Sequence, residues 1–349
     1  MAFSLSLPLL VSAGLLGGAE IVTERVFGPE LPGKYKHPAS ITELHNGDLY
    51  LVYYGGSGEY SDDSAVHGAR LRKGETKWST PKIITPRPRQ PEGNAVVWQA
   101  PDGVVWLFSV TRHGATWSTS RIVARTSTDG AETWQEPVQL TTEAGTMVRC
   151  KPIVLANGDY LLPIYHETGH DPEFVGPDTT SLFLRYDLQA KRWTQTNRIR
   201  SRLGNLQPAV AALSDTHLVC YCRRGGDYKP RNDAHLIRSE SRDGGRTWGP
   251  GTESAFPNPN AAVDFLRLRN GHLLLVYNAS MTARTPLTVA ISIDNDKTYP
   301  HRRNLAEGPG DFAYPYAIQT RDGKIHVIYT SQRRSVINHA VFDESAVVR

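Results

Sequence analysis

Along this chain a short polar turn is followed, at near-regular intervals, by a run of apolar residues. Asn-Gly or Asp-Gly opens the pattern in NGDLYLVYY around Gly47, DGVVWLFSV around Gly103 and NGDYLLPIY around Gly158. It returns in NGHLLLVYN around Gly271 and DGKIHVIYT around Gly323. SDTHLVCYC fills the one gap, with Thr216 where the glycine would stand. The intervals are 56, 55, 58, 55 and 52 residues. Asn-Gly and Asp-Gly between apolar runs specify tight hairpins, because both central residues of a type I′ turn need positive φ. Thr216 implies a different turn at its position.

A second marker recurs out of phase with the first. STDGAETW ends at Trp134 and SRDGGRTW at Trp248, with weaker copies ending at Trp78, Trp193 and Tyr299. Their spacings are 56, 59, 55 and 51 residues. Two markers with one period give each repeat two hairpins, or about four strands, which is the signature of a propeller blade. A single blade cannot bury both faces, and stacking around a ring solves that. Six copies predict an all-β fold, a six-bladed β-propeller of four-stranded antiparallel blades. Few residues follow the sixth apolar run, so Glu20–Phe27 is expected to supply the last blade's outer strand. With no linker in view, residues 20–349 read as one domain.

Composition narrows the function. A 39% hydrophobic content supports a packed core, and a net charge of +4 over 349 residues does not mark a nucleic-acid binder. The three cysteines, Cys150, Cys220 and Cys222, form no disulfide framework and no metal-binding spacing, and no metal or other cofactor is expected. Residues 1–19 hold the apolar stretch Leu5–Leu16, too short to span a bilayer and followed by small residues. They read as a cleaved export signal or a disordered tail, and the first reading places the protein outside the cytoplasm, secreted or periplasmic. No basic residue precedes that stretch, and no other segment is long and apolar enough to cross a membrane. There is no GxSxG elbow, P-loop or dinucleotide fingerprint.

Ser-x-Asp-x-Gly-x-Thr-Trp, matched fully by SRDGGRTW at 241–248, resembles the Asp-box of the sialidase (BNR-repeat) superfamily. STDGAETW at 127–134 keeps Ser127, Asp129, Thr133 and Trp134. CKPIVLANGDYLLP, FPNPNAAVDFLRLRNGHLLLVYN and AYPYAIQTRDGKIHVIYT are similar to segments of bacterial sialidase-like BNR proteins. The Asp-box speaks for fold and not for chemistry. Its Asp can accept backbone N–H groups of the hairpin while its Trp packs between strands. Asp129, Asp243 and Asp294 are therefore expected to be structural. The superfamily also includes lyases and binding proteins, so the fold alone does not assign a reaction.

Strand direction locates the working face. If the strands of a blade run A to D outward, the Gly turn joins A to B, and A starts and B ends on the opposite face. The A starts carry His37, Asn94, Arg149, Lys151, Gln207, Asn260, Asp264 and Tyr314. The B ends and their loops carry Glu59, Asp62, Asp63, Arg112, Glu167, Arg223, Asn278, Arg333 and Arg334. This density of Arg, His, Tyr and Asp around one axis predicts a polar pocket.

The resemblance implies an exo-glycosidase that takes a terminal acidic sugar from glycans. In that family three arginines hold the sugar's carboxylate, a Tyr polarised by a Glu attacks, and an Asp is the acid/base. Tyr314 matches the nucleophile, Asp62 and Asp63 the acid/base loop, and Arg223 one clamp arginine. The first clamp position holds Tyr35-Lys36-His37-Pro38, and the third holds Asn278, with Arg284 further along. Gln207 lies where the Glu is expected, and Glu167 is the candidate replacement. His37, Lys151, Gln207, Arg223, Asn260, Asp264, Arg333 and Arg334 are the expected substrate-binding residues. Arg suits a carboxylate because its fork binds both oxygens. The same residues fit two other readings: a uronate lyase using Lys or Arg with His or Tyr, and a carbohydrate-binding propeller without catalysis. Each residue also has a plainer alternative as loop, rim or channel lining.

Overall fold

The six apolar runs become the second strands of six antiparallel sheets in this computed structural model, which describes residues 20–85, 90–169 and 174–348. They are Leu49–Gly56, Val105–Arg112, Tyr160–His166, Leu218–Arg224, Leu273–Asn278 and Ile325–Ser331. They are apolar almost without alternation because each blade is covered on both faces by its neighbours, as in a sheet buried between layers. The innermost strands follow one another around a ring, blade three reaching blade four through its second strand, and the sixth meets the first. No α-helix occurs among the described residues, and no helix there is long and apolar enough to cross a membrane. The proposed export signal lies outside the described residues.

The ring closes through the N-terminal segment. Val22–Phe27 pairs antiparallel with Val336–Phe342 as the outer strand of the sixth sheet. Phe27 is buried and packs against Tyr53 and Trp78 of blade one, with ring centroids 5.9 and 6.2 Å away.

The Asp-boxes hold hairpins. Asp243 Oδ1 accepts the N–H groups of Arg246 and Thr247 at 3.0 and 2.9 Å, and its Oδ2 accepts the Thr247 hydroxyl at 2.6 Å. Trp248 stacks on Phe183 of the preceding blade, centroids 4.2 Å apart. Asp129 and Asp294 are engaged in the same way. These carboxylates are committed to their turns.

One device positions the site. The inner strands of blades one, two, four and six each carry a bulge that drops two residues from the ladder: His37-Pro38, Asn94-Ala95, Gln207-Pro208 and Tyr314-Pro315. Proline fits the second place of a bulge because it has no N–H to leave unpaired. At the first place Asn94, Gln207 and Tyr314 take φ of 43°, 54° and 55°. That conformation costs a non-glycine residue about 1–3 kcal/mol and persists only where the surroundings enforce it. In return the bulge turns these side chains into the cavity at the centre of the ring.

Candidate active site

A cavity of about 320 Å³ opens at the face carrying the A starts and B ends. His37, Asn94, Gln207 and Tyr314 reach it from the bulges, and Tyr54, Glu59, Tyr60, Glu167, Arg223, Tyr228, Arg284 and Arg334 from the ends and loops of B strands.

Tyr314 is at its centre. Its Oη accepts hydrogen bonds from Arg223 Nη1 at 2.8 Å and Gln207 Nε2 at 3.4 Å. The Arg284 and Arg223 guanidiniums lie 5.6 and 5.9 Å from its ring centroid, and His37 meets the ring edge-on at 3.9 Å. Burial pushes the phenol up, but the fields of Arg223, Arg284 and Arg334 outweigh it, and the net direction is down.

Arg223 is 2% exposed, and its hydrogen-bond partners are all uncharged side chains: Asn260 Oδ1 at 2.6 Å, Tyr228 Oη at 2.7 Å, Tyr314 Oη and Gln207 Oε1. Arg284 Nη2 donates to the Asn260 carbonyl at 3.0 Å. Among the described residues neither guanidinium has a carboxylate salt-bridge partner. Arg334 is the third cation, hydrogen-bonded to Tyr35 Oη at 3.1 Å and ion-paired with Glu59. Buried charges are normally paired, so a buried and a half-buried guanidinium without a salt-bridging carboxylate beside a polar cavity describe a receptor for an anion.

Glu167 faces the cavity and is half-buried. Burial pushes its carboxyl up to about 7; Arg223 opposes that shift and Glu59 adds to it. His37 is driven well below its ordinary range, first by burial and then by Arg334, Arg284, Arg149 and Arg223, so it is neutral and contributes no positive charge to a ligand.

The remaining expected residues fall elsewhere. Asn260 lies behind Arg223 and holds it. Lys151 Nζ is 2.6 Å from Asp264 Oδ2 and 4.5 Å from the Tyr316 ring centroid, a neutralised pair that does not line the cavity. Arg333 is exposed, with its backbone N–H on Asp311. Asp63 accepts the Ser57 N–H with both oxygens, at 3.0 and 3.1 Å, and shapes the loop that brings in Glu59 and Tyr60. The Asp62 side chain is 97% exposed, 3.7 Å from Arg112 Nη2.

Sequence reasoning put Glu59 on this face without a role, and did not place Arg284 or the aromatic wall of Tyr54, Tyr60, Tyr165, Trp117 and Tyr228. Arg284 is six positions beyond the end of its B strand, and its loop folds back on itself through Ala279 N–H to Pro286 O at 3.2 Å. Arg334 supplies the charge that the first A start, with Lys36 and His37, lacks. Lys36 itself is turned away, bonded to the Leu31 carbonyl at 3.0 Å.

A family profile described as BNR repeat-like domain matches residues 47–327. A Hadza microbial sialidase superposes with a TM-score of 0.75 at 16% identity, over 90% of this chain and 67% of its own. A Dyadobacter fermentans protein of unknown function superposes with a TM-score of 0.77 at 17% identity, over 94% of this chain and 100% of its own. The NanB sialidase of Streptococcus pneumoniae does so with 0.75 at 10% identity, over 93% and 71%. At these identities the likeness is one of fold. No curated protein matches the chain by sequence.

Proposed function

The chain belongs to the BNR repeat-like domain family, and from that premise we propose that it is a sialidase-like exo-glycosidase that removes a terminal acidic sugar from glycans. The observation that carries this reading is the pair Arg223, buried, and Arg284, half-buried, beside Tyr314 without a salt-bridging carboxylate of their own. With Arg334 they form a clamp for a sugar carboxylate, which fixes the anomeric carbon over Tyr314 Oη. Two structural neighbours, both sialidases, agree in kind.

In the proposed reaction Tyr314 Oη attacks the anomeric carbon and its proton passes to Glu167, which is poised near neutrality. The glycosidic C–O bond breaks, and the leaving oxygen takes a proton from the loop after the first B strand. We assign that role to Asp62, the exposed carboxyl at the cavity's rim that is free to turn inward, because Asp63 is engaged with Ser57 and Glu59 with Arg334. Water, giving a proton to Asp62, then attacks the anomeric carbon; the C–O bond to Tyr314 breaks and Tyr314 takes back its proton from Glu167. An uncharged phenol suits this task, since a carboxylate nucleophile would repel the substrate's own carboxylate, and sialidases with a Tyr nucleophile depart from the two-carboxylate scheme in this way.

The test is an array of acidic oligosaccharides with product analysis. The expected product is a free acidic monosaccharide. An unsaturated, ultraviolet-absorbing product would indicate elimination instead. Binding without any product would leave a carbohydrate-binding propeller.

A further inference from the structure

Tyr314 sits in a backbone conformation that its own chemistry does not favour, φ 55°, and the bulge takes Tyr314 and Pro315 out of strand pairing. Two carbonyls are thereby left without ladder partners inside the ring. Both are taken by one side chain from the opposite blade. Arg149 Nη2 donates to the Tyr314 carbonyl at 2.8 Å and to the Pro315 carbonyl at 2.8 Å.

Arg149 lies in the break between the two segments of blade three's inner strand, Thr146–Val148 and Ile153–Val154. It is 1% exposed. Its guanidinium lies 5.4 Å from the Tyr314 ring centroid and 5.6 Å from that of Tyr316. One nitrogen, Nη2, serves both carbonyls while the guanidinium plane lies against two rings; a shorter lysine keeps donors but has no plane to lie against the rings. Its Nε and Nη1 have no hydrogen-bond partner among the described residues, so the contacts with Tyr314 and Pro315 account for its placement.

We propose that Arg149 is a positioning residue that locks Tyr314 in its left-handed conformation and aims the phenol at the anomeric carbon, a role that rests on reading Tyr314 as the nucleophile. Arg149 does not touch the sugar. None of the clamp arginines Arg223, Arg284 and Arg334 hydrogen-bonds to Arg149; the clamp meets Tyr314 through the Arg223 bond to its Oη, so a displaced phenol costs turnover more than carboxylate binding, and that difference makes the role measurable.

The experiment compares wild type with Arg149→Lys and Arg149→Met on an acidic aryl glycoside, with affinity for the free acidic sugar measured by calorimetry. Misplacing a reacting group by about 1 Å costs on the order of 100-fold in rate, so kcat per folded molecule is expected to fall about 100-fold in both variants. Affinity is expected to change less than about threefold, because the charged hydrogen bonds to the carboxylate are kept. A purely structural arginine would lower the melting temperature and leave kcat per folded molecule unchanged, and that result overturns the proposal. If wild type hydrolyses no acidic glycoside, the proposed function fails and Arg149 is judged by crystallography of Arg149→Lys. Tyr314 leaving positive φ and turning from the cavity supports the role, and Tyr314 unmoved overturns it.

Discussion

Tyr314 Oη lies 2.8 Å from Arg223 Nη1, and this guanidinium, 2% exposed, is hydrogen-bonded only to uncharged side chains. A buried cation whose partners are two phenols and two amides is incompletely compensated. A ligand carboxylate would complete it, and would do so beside the phenol. In the proposed reaction binding and attack share one electrostatic arrangement, assembled from blades four, five and six.

Removing one clamp arginine should weaken acidic ligands and spare neutral ones. Arg284→Met is expected to raise KM for an acidic glycoside by about 10- to 100-fold, the range for losing a charged hydrogen bond. The methyl ester of the same glycoside should show little change. Steady-state kinetics on the acid and ester pair checks this.

Glu167 gives a pH signature with a definite sign. Its carboxyl is raised by burial from 4.5 to about 7. The folded protein therefore holds a proton there that the unfolded chain has released, and stability falls as pH rises across that window. Glu167→Gln removes the dependence, so its gain in melting temperature over wild type should be largest above pH 7. As the acceptor of the phenol proton, Glu167 should also make kcat/KM rise with pH through about 7. The Gln variant is expected to lose that limb.

The two aspartates of the first loop should separate. Asn at position 63 can still accept the Ser57 N–H, so Asp63→Asn is expected to keep turnover within about threefold, while Asp63→Ala loosens the loop carrying Glu59 and Tyr60. Asp62→Asn has no such refuge and should lose about 100-fold or more, in the range for a general acid. Equal losses in Asp62→Asn and Asp63→Asn would remove this division of roles.

How much of this was legible beforehand differs between fold and site. The ring is written in a periodic signal: Gly47, Gly103, Gly158, Gly271 and Gly323 take φ near 90° in their turns, and each is followed by a strand buried on both faces. Strand direction then placed His37, Gln207, Arg223, Glu167 and Tyr314 around one cavity. Arg284 escaped because a loop's length does not fix its path. Lys151 and Asp264 stood at the expected height of the ring yet neutralise each other, and a strand register carries no information about which charges pair across an axis. Arg149 was visible as a polar residue at a strand start, but its role depends on a bulge in another blade.

Ring closure offers a test of the fold itself. Phe27 ties the N-terminal strand to blade one through Tyr53 and Trp78. Phe27→Ala is expected to cost about 3–5 kcal/mol in chemical denaturation. A loss under about 1 kcal/mol would mean that the closing strand is dispensable.

The most direct test of the central claim is mass spectrometry of the peptide containing Tyr314, after rapid quenching of the protein with an acidic glycoside bearing a good leaving group. The expected result is one sugar residue attached to Tyr314 in wild type, with adduct and turnover both abolished in Tyr314→Phe. Turnover that persists in Tyr314→Phe, or an adduct on another residue, would contradict the account.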